Sequence, residues 1–249
     1  MSKNKKLDNS TNNFLSDVEL YYSIHITDNE IFISGEELHH IKNVMRHKTD
    51  DEIFVTDGKG KIFKSIIEFL SKDEAKCIIK EKYLYENKFL NYVFCIPRLK
   101  NNDRFEFAIE KCVELGITNF LFYESERTIA RGFKVERIKK LLLSSMKQSL
   151  QAWLPEADFI KNITDLKNYE GEKILFEQKS EMLLKDFLID KNKLSTNNKI
   201  YFIFGPEGGF SENEIAKVNP TFLLRITKNR LRSETAIITA ASLLSTLIQ

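Results

Sequence analysis

Three cysteines, four prolines, nine glycines and one tryptophan among 249 residues leave little material for several kinds of protein. Cys77, Cys95 and Cys112 are odd in number and form no CxxC pair, which argues against a disulfide framework and against a thiolate zinc site; each reads as a small buried hydrophobe. The scarcity of glycine and proline argues against fibrous and low-complexity chains. No apolar run approaches the roughly 18 residues that a membrane-spanning helix needs. The opening MSKNKKLDNSTNNF is polar and lacks the apolar centre of a secretory signal, so a frayed extension over 1–17 and a cytoplasmic location are expected. Charge of one sign is also missing: 38 basic residues face 36 acidic ones, a formal net charge of +2. Up to residue 88 there are 14 basic against 16 acidic residues, and beyond it 24 against 20, so composition alone does not announce a nucleic-acid binder. What remains, 42% hydrophobic and 30% charged, is the composition of an ordered protein of one large or two modest domains.

The pattern along the chain changes once. From about Val18 to Tyr85 it is short and strand-like: IFIS at 31–34, EIFVT at 52–56, KIFKSIIEF at 61–69 and AKCIIKEKY at 75–83. The Asp57-Gly58 step suits a tight hairpin, and ELHHIKNVMR reads as the one helix of a small β-barrel over 18–86. YENKFLN at 85–91 reads as a linker. Beyond it, over 90–249, apolar runs alternate with helical spacing, the signature of an α/β domain with a mostly parallel sheet. Strands are expected at YVFCIP (92–97), NFLFY (119–123), KILFE (173–177), KIYFIF (199–204) and FLLRI (222–226). Asp103 is placed to cap a helix that buries Phe105, Ala108, Ile109, Cys112 and Val113 and stops at Gly116. Val135, Ile138, Leu142, Ser145 and Met146 mark the next helix, and a long one closes the chain from about Glu234 to Ile248.

Two stretches carry chemistry. In IFGPEGGFSENEI, three of the nine glycines fall within five residues, after an apolar strand and before a helix. Gly205, Gly208 and Gly209 let backbone approach a ligand, Pro206 stiffens the loop, and Ser211 with Glu214 forms a capping box. A loop at the carboxyl end of a strand is where open α/β sheets bind ligands. It is neither GxGxxG nor GxxxxGK[ST], so no dinucleotide or triphosphate site is indicated, and a plain structural turn is the alternative. In ITKNRLRSETAIITAASLL, Arg230 and Arg232 stand beside Glu234 at a strand-to-helix junction, where they can hold an anion and a proton acceptor together. The bland alternative is that Ser233 caps the helix, Glu234 complements its dipole and the arginines are solvated.

These two stretches, in this order at the end of the chain, resemble the SPOUT superfamily, and specifically the small-subunit ribosomal RNA uridine N3-methyltransferases of the RsmE type. The resemblance rests on Gly205–Ser211 as GPEGGFS and on Arg230–Ala236 as RLRSETA. Further matches are ELHHIKNVMR and DGKG, then KNNDRFEFAIEKCVELGI, SER at 125–127 and KQS at 147–149. Three departures stand out: Ser233 where the family has threonine, Thr227 near a usual glycine, and Leu150-Gln151-Ala152 where a Gly-Arg step often follows Gln-Ser.

The resemblance implies a SPOUT-type α/β domain with a C-terminal trefoil knot, preceded by a PUA-like RNA-binding barrel. It implies S-adenosylmethionine as cofactor, lined by Phe176, by Gly205, Pro206, Glu207, Gly208 and Gly209, and by Ile226, Thr227, Asn229, Arg230 and Leu231. The implied reaction is methyl transfer to N3 of a uridine in small-subunit (16S) ribosomal RNA, by a homodimer acting on an assembled or nearly assembled 30S particle. No metal and no membrane are implied. In this reading Glu234 takes the N3 proton and Arg232 stabilises the uridine anion, with Arg230 behind it and Glu207 as a rival carboxylate. His40, Arg46, Arg98, Arg127 and Arg131 are the candidate RNA contacts, while Lys100 and Arg104 could extend the same track. His39 is expected to be solvated or core, and Phe105 and Phe107 are expected in the core.

Overall fold

The computed structural model describes residues 15, 17–190 and 198–248. Most of the expected N-terminal extension, residues 1–14 and 16, lies outside them. The chain divides into two compact units, one of residues 1–87 with 146–154, the other of 88–145 with 155–249.

The first unit is built on short alternating segments. Its elements are β1 (Leu20–Tyr22), β2 (His25–Ile26), β3 (Glu30–Ile33), α1 (Gly35–His39), β4 (Glu52–Thr56), β5 (Lys61–Leu70) and β6 (Ala75–Leu84). One six-stranded sheet runs in the order β1-β4-β5-β6-β3-β2, antiparallel except where β1 meets β4. Period-two alternation sends Ile31, Ile33, Ile53, Val55, Phe63, Ile67 and Cys77 into one core beneath Tyr21. Each such side chain contributes roughly 1.5–3 kcal/mol by burial. β1 and β2 escape a sequence reading because three and two residues are too few to show a period. The expected helix over ELHHIKNVMR is a single α-turn that widens into a π-helical turn at His40–Val44. Leu38 and Ile41 are buried by it, and Val44 and Met45 are left exposed.

Residues 146–154 complete this unit. Lys147 pairs with Glu37 at 2.5 Å, and Glu37 also accepts the Tyr22 N–H at 3.2 Å, so the KQS and ELHH motifs meet. Trp153 donates from Nε1 to Tyr85 O at 3.0 Å and lies over Gly60. The β4–β5 hairpin connection is the four residues 57–60, with both glycines at positive φ.

The second unit is the α/β domain that the alternating pattern implies. It contains β7 (Tyr92–Pro97), α2 (Asn102–Glu114), β8 (Asn119–Glu124), the start of α3 (Val135–Gln148), β9 (Glu156–Asn162), β10 (Glu172–Phe176), α4 (Leu184–Ile189), β11 (Ile200–Ile203), α5 (Glu212–Val218), β12 (Phe222–Leu224) and α6 (Ser233–Leu247). Its sheet is parallel throughout, in the order β12-β10-β11-β7-β8-β9. The central strands β7 and β11 are almost wholly buried, which is why they read as continuous apolar runs. β9 was not legible, because EADFIKN has the half-exposed composition of an edge strand.

Helix α2 buries the five expected residues, but its N-cap is Asn101, whose side chain accepts the Arg104 N–H, not Asp103. Phe107 departs from expectation: it is 50% exposed and faces Lys111, whereas Phe105 is buried. Phe89, inside the expected linker, is buried with its ring against Gly116. Helix α3 ends in a Schellman turn: Gln151 N–H bonds to Met146 O and Leu150 N–H to Lys147 O, with Leu150 at φ +56°. This is the place where the Gly-Arg step is absent, and leucine there tolerates a left-handed backbone that glycine adopts freely. All three cysteines are buried and free; burial pushes the Cys77 thiol up to about 12 and those of Cys95 and Cys112 higher still, so none is a thiolate at neutral pH.

A Cβ at Gly60, at φ +93°, meets Trp153 Cζ2 at 2.5 Å and Tyr85 O at 3.0 Å. Gly60→Ala is therefore expected to lower the stability of the first unit by about 2 kcal/mol. Trp153 is the sole tryptophan, so the midpoint of its fluorescence in a urea titration reports the loss.

Candidate functional site

A cavity of about 910 Å³ lies where the carboxyl ends of β10, β11 and β12 come together, the position at which parallel α/β sheets receive ligands. Three chain segments line it: 176–179 at the end of β10, 204–210 beyond β11, and, from the stretch after β12 into the first turn of α6, residues 225, 226, 230–234 and 236, together with Arg104 from the first turn of α2. Phe176 stacks on Phe204 with centroids 4.9 Å apart, forming an apolar wall, and Ile226 and Leu231 share the lining.

The glycine loop is tied to its surroundings at nearly every step. The Tyr123 hydroxyl donates to Phe204 O, and the Ser233 hydroxyl to Gly205 O at 2.9 Å. Glu207 accepts the Lys100 N–H at 2.9 Å, and Arg127 donates to Gly208 O at 3.0 Å. Gly208 is obligatory for this packing, since a Cβ would fall 2.9 Å from the Arg127 Cβ. The loop closes on itself through Gly209 N–H to Pro206 O and then enters α5 by the expected capping box, in which Ser211 accepts the Glu214 N–H and Glu214 the Ser211 N–H. Among the described residues, the N–H groups of Glu207 and Gly208 have no protein acceptor.

Glu214 is the hub. It is 1% exposed, and besides Ser211 it accepts the Ser125 hydroxyl at 2.7 Å and the Glu126 N–H at 2.9 Å. The SER turn at 125–127 is thereby joined to the glycine loop. Glu126 adds a second link: hydrogen bonds from Ser211 and Asn213 hold its carboxyl below the usual carboxylate range. Because that value is depressed, the link persists at neutral pH and is lost only as pH falls through it.

The arginine-rich segment is distributed differently from its bland reading. Ser233 is the first residue of α6, and Arg232 stands at the N-cap without a side-chain cap bond. The Ser233 hydroxyl thus fastens α6 to the glycine loop and caps nothing; a hydroxyl in that place is what the bond requires. Glu234, 13% exposed, lies 3.5 Å from the Arg104 guanidinium, while Arg230 and Arg232 line the cavity with exposed side chains. Thr227 does not have positive φ, so its β-branch costs nothing there, and its hydroxyl donates to Asn229 O at 2.9 Å. Of the residues expected to hold a cofactor, Thr227 and Asn229 are not part of the lining, whereas Phe176, Gly205, Pro206, Glu207, Gly208, Gly209, Ile226, Arg230 and Leu231 are.

The candidate RNA contacts separate by what already holds them. Arg98 donates to Gly132 O, Leu99 O and Asn102 and covers the Phe105 ring. Arg131 pairs with Glu124 and donates to Ser125 O, and Arg127 braces Gly208. In the first unit His40 is half-buried, 3.7 Å from Glu19 and packed on Tyr21, while Arg46 is exposed at φ +58°. His39 is exposed, bonded to Asn43 at 2.9 Å. Cavity residues not singled out from the sequence, Glu177, Gln178, Lys179 and Arg225, lie within three residues of a strand's end; the strand-end rule finds them once the strands are known.

Residues 86–245 match the RNA methyltransferase domain family, and residues 33–80 match the RNA methyltransferase PUA domain. The class is therefore that of two-part RNA methyltransferases. The ribosomal RNA small subunit methyltransferase E of Mesomycoplasma hyopneumoniae (strain 232) is 30% identical over 223 residues, covering 85% of this chain and 92% of its own. That of Bacillus subtilis (strain 168) is 27% identical over 227 residues, covering 86% and 88%. The crystal structure of a ribosomal RNA small subunit methyltransferase E from Neisseria gonorrhoeae, bound to S-adenosyl methionine, matches with a TM-score of 0.80 at 26% identity, over 92% of this chain and 98% of that one. The chain belongs to the ribosomal RNA small subunit methyltransferase E family.

Glu214→Gln replaces an acceptor of three donors by a group that must turn an NH₂ toward one of them. It is expected to cost about 2–3 kcal/mol. The fall of several degrees in calorimetric melting temperature that this implies for a chain of this size measures it.

Proposed function

We propose that this protein is an S-adenosylmethionine-dependent methyltransferase that modifies N3 of a uridine in small-subunit ribosomal RNA. One observation carries the reading: a carboxylate, Glu234, sits with Arg104, Arg230 and Arg232 on the rim of a cavity walled by a glycine loop and aromatic rings. The lining suits the cofactor. Phe176, Phe204, Ile226 and Leu231 offer apolar surface to an adenine ring, and the free N–H groups of Glu207 and Gly208 offer donors to its acceptor atoms. Family membership and the cofactor-bound relative support the same ligand.

When bound, the cofactor supplies an electrophilic methyl group. The remaining task falls to the chain. N3 of uridine carries a proton and is a poor nucleophile while neutral, so the proton must leave as the N–C bond forms. Glu234 receives that proton, and the Arg104 guanidinium beside it keeps the carboxylate in place. Arg232, with Arg230 behind it, faces the negative charge that develops on the uracil carbonyl oxygens. Glu207 accepts the Lys100 N–H and belongs to the loop's support, which favours Glu234 over it as the base. The substrate we infer is an assembled or nearly assembled 30S particle, met in the cytoplasm by a homodimer; the exposed Phe107 supports a partner-covered surface. No helix among the described residues is long and apolar enough to cross a membrane. The reading includes a C-terminal trefoil knot, supported by the three chain segments that meet around one cavity, and a division of labour in which 18–86 binds RNA and 90–249 methylates it.

The test is incubation with labelled S-adenosylmethionine and small ribosomal subunits lacking the modification, followed by digestion and nucleoside identification. Labelled 3-methyluridine is expected; label in a ribose-methylated nucleoside, or none, contradicts the proposal. Glu234→Gln is expected to lower kcat by about 10²-fold or more while cofactor affinity measured by calorimetry stays within a factor of about two.

A further inference from the structure

Arg225 directly follows β12, and its backbone is fixed on both sides: its N–H donates to Met182 O at 2.9 Å, and its carbonyl accepts the Leu184 N–H at 2.8 Å in a parallel bridge to Leu183. The side chain so placed lines the cavity with Glu177 and Lys179. Its Nε is sealed from solvent and has no hydrogen-bond partner. Glu177, the carboxylate on the same stretch of wall, accepts the Lys179 N–H at 3.4 Å and forms no ion pair with Arg225 among the described residues. A guanidinium cannot shed its charge, and a buried donor left without an acceptor is unfavourable by more than a hydrogen bond contributes when made. The residue as a whole is only part-buried and lines the cavity, so with its Nε sealed it is the rest of the guanidinium that an anion arriving with the ligand can meet. Arg104 at the same cavity provides the contrast, because its charge already faces Glu234.

We infer that Arg225 receives the carboxylate of the cofactor's amino-acid end and makes the cavity selective for ligands that carry it. The inference rests on the cofactor reading above. That carboxylate is the one anionic group of S-adenosylmethionine, and a charge-assisted pair with a guanidinium in a partly desolvated wall is among the stronger polar contacts a site can offer. Arg225 here is a specificity residue, separate from the proton-handling pair Glu234 and Arg104.

Calorimetric titration of the full chain with S-adenosylmethionine and with its decarboxylated analogue tests this without any turnover. The two ligands share adenosine and sulfonium and differ in the carboxylate. The wild type is expected to prefer S-adenosylmethionine by on the order of tenfold or more. Arg225→Met should abolish that preference by weakening S-adenosylmethionine alone, and its undiminished binding of the analogue shows that the cavity is intact. Arg225→Lys, which keeps the charge but not the forked donors of a guanidinium, should recover part of the preference. A wild-type protein that binds both equally, or an Arg225→Met variant that retains the preference, overturns the inference while leaving the cofactor reading standing. Weakened RNA binding with both cofactor affinities unchanged also overturns it, and moves Arg225 to an RNA phosphate. Failure of the wild type to bind either ligand overturns the cofactor reading itself, and this inference with it.

Discussion

The carboxylate of Glu214, shut off from water, accepts hydrogen bonds from the Ser125-Glu126 turn and from Ser211 at the start of its own helix, and the placing of the glycine loop follows from it. A buried carboxylate is tolerated only when its lone pairs are occupied, so the Ser125-Glu126 turn and the start of α5 are obliged to stay together. The glycine loop leads from β11 directly into α5. Once that turn and the start of α5 are fixed, Arg127 reaches Gly208 and Lys100 meets Glu207, while Ser233 brings the first turn of α6 against Gly205. The carbonyls of Phe204, Gly205, Pro206 and Gly208 are spent on protein, and the N–H groups of Glu207 and Gly208 are left for a ligand. Rigidity matters here because backbone that is already ordered has less entropy to lose on binding.

The electrostatics of the site show why total charge is uninformative for this chain. Over all residues the formal charge is +2, yet the cavity lining holds five cationic side chains, Arg104, Lys179, Arg225, Arg230 and Arg232, against three carboxylates, Glu177, Glu207 and Glu234. Two of those carboxylates are engaged, Glu207 by the Lys100 backbone and Glu234 by Arg104. The charge balance at the cavity is positive, and acidic residues elsewhere cancel it in the sum. The arginines that the sequence suggests as an RNA track are a different matter: Arg98, Arg127 and Arg131 spend their donors on carbonyls and on Glu124, and their first effect is to hold loops in place.

Much of this architecture was legible because its signals are local. The five buried residues of α2, the buried runs of β7 and β11, and the Ser211–Glu214 capping box each follow from spacing within one segment. The position of the glycine loop was legible too, since it follows an apolar strand and precedes a capping box, and it lines the cavity. The rest depends on contacts distant in sequence. Arg104 and Glu234 are 130 positions apart, and nothing near either residue foretells their pairing. Ser233 reads as a cap from its neighbours, but a carbonyl 28 positions earlier takes its hydroxyl. Asn101 in place of Asp103 is the milder kind of error, a shift of two residues at a helix end where several polar side chains compete for one role. Arg225 was invisible among 38 basic residues until its surroundings showed an Nε without a partner.

The central claim is that this loop-walled cavity is the cofactor site, formed before the cofactor arrives. A crystal structure of the chain grown with S-adenosylhomocysteine tests it most directly. The account requires the adenine against Phe176, Phe204 and the 226–231 segment, the ligand within hydrogen-bond reach of the glycine-loop backbone, and the loop's existing bonds to Ser233, Arg127 and Lys100 unchanged. Density for the nucleoside elsewhere on the chain, or a loop that must abandon those bonds to admit it, contradicts the account.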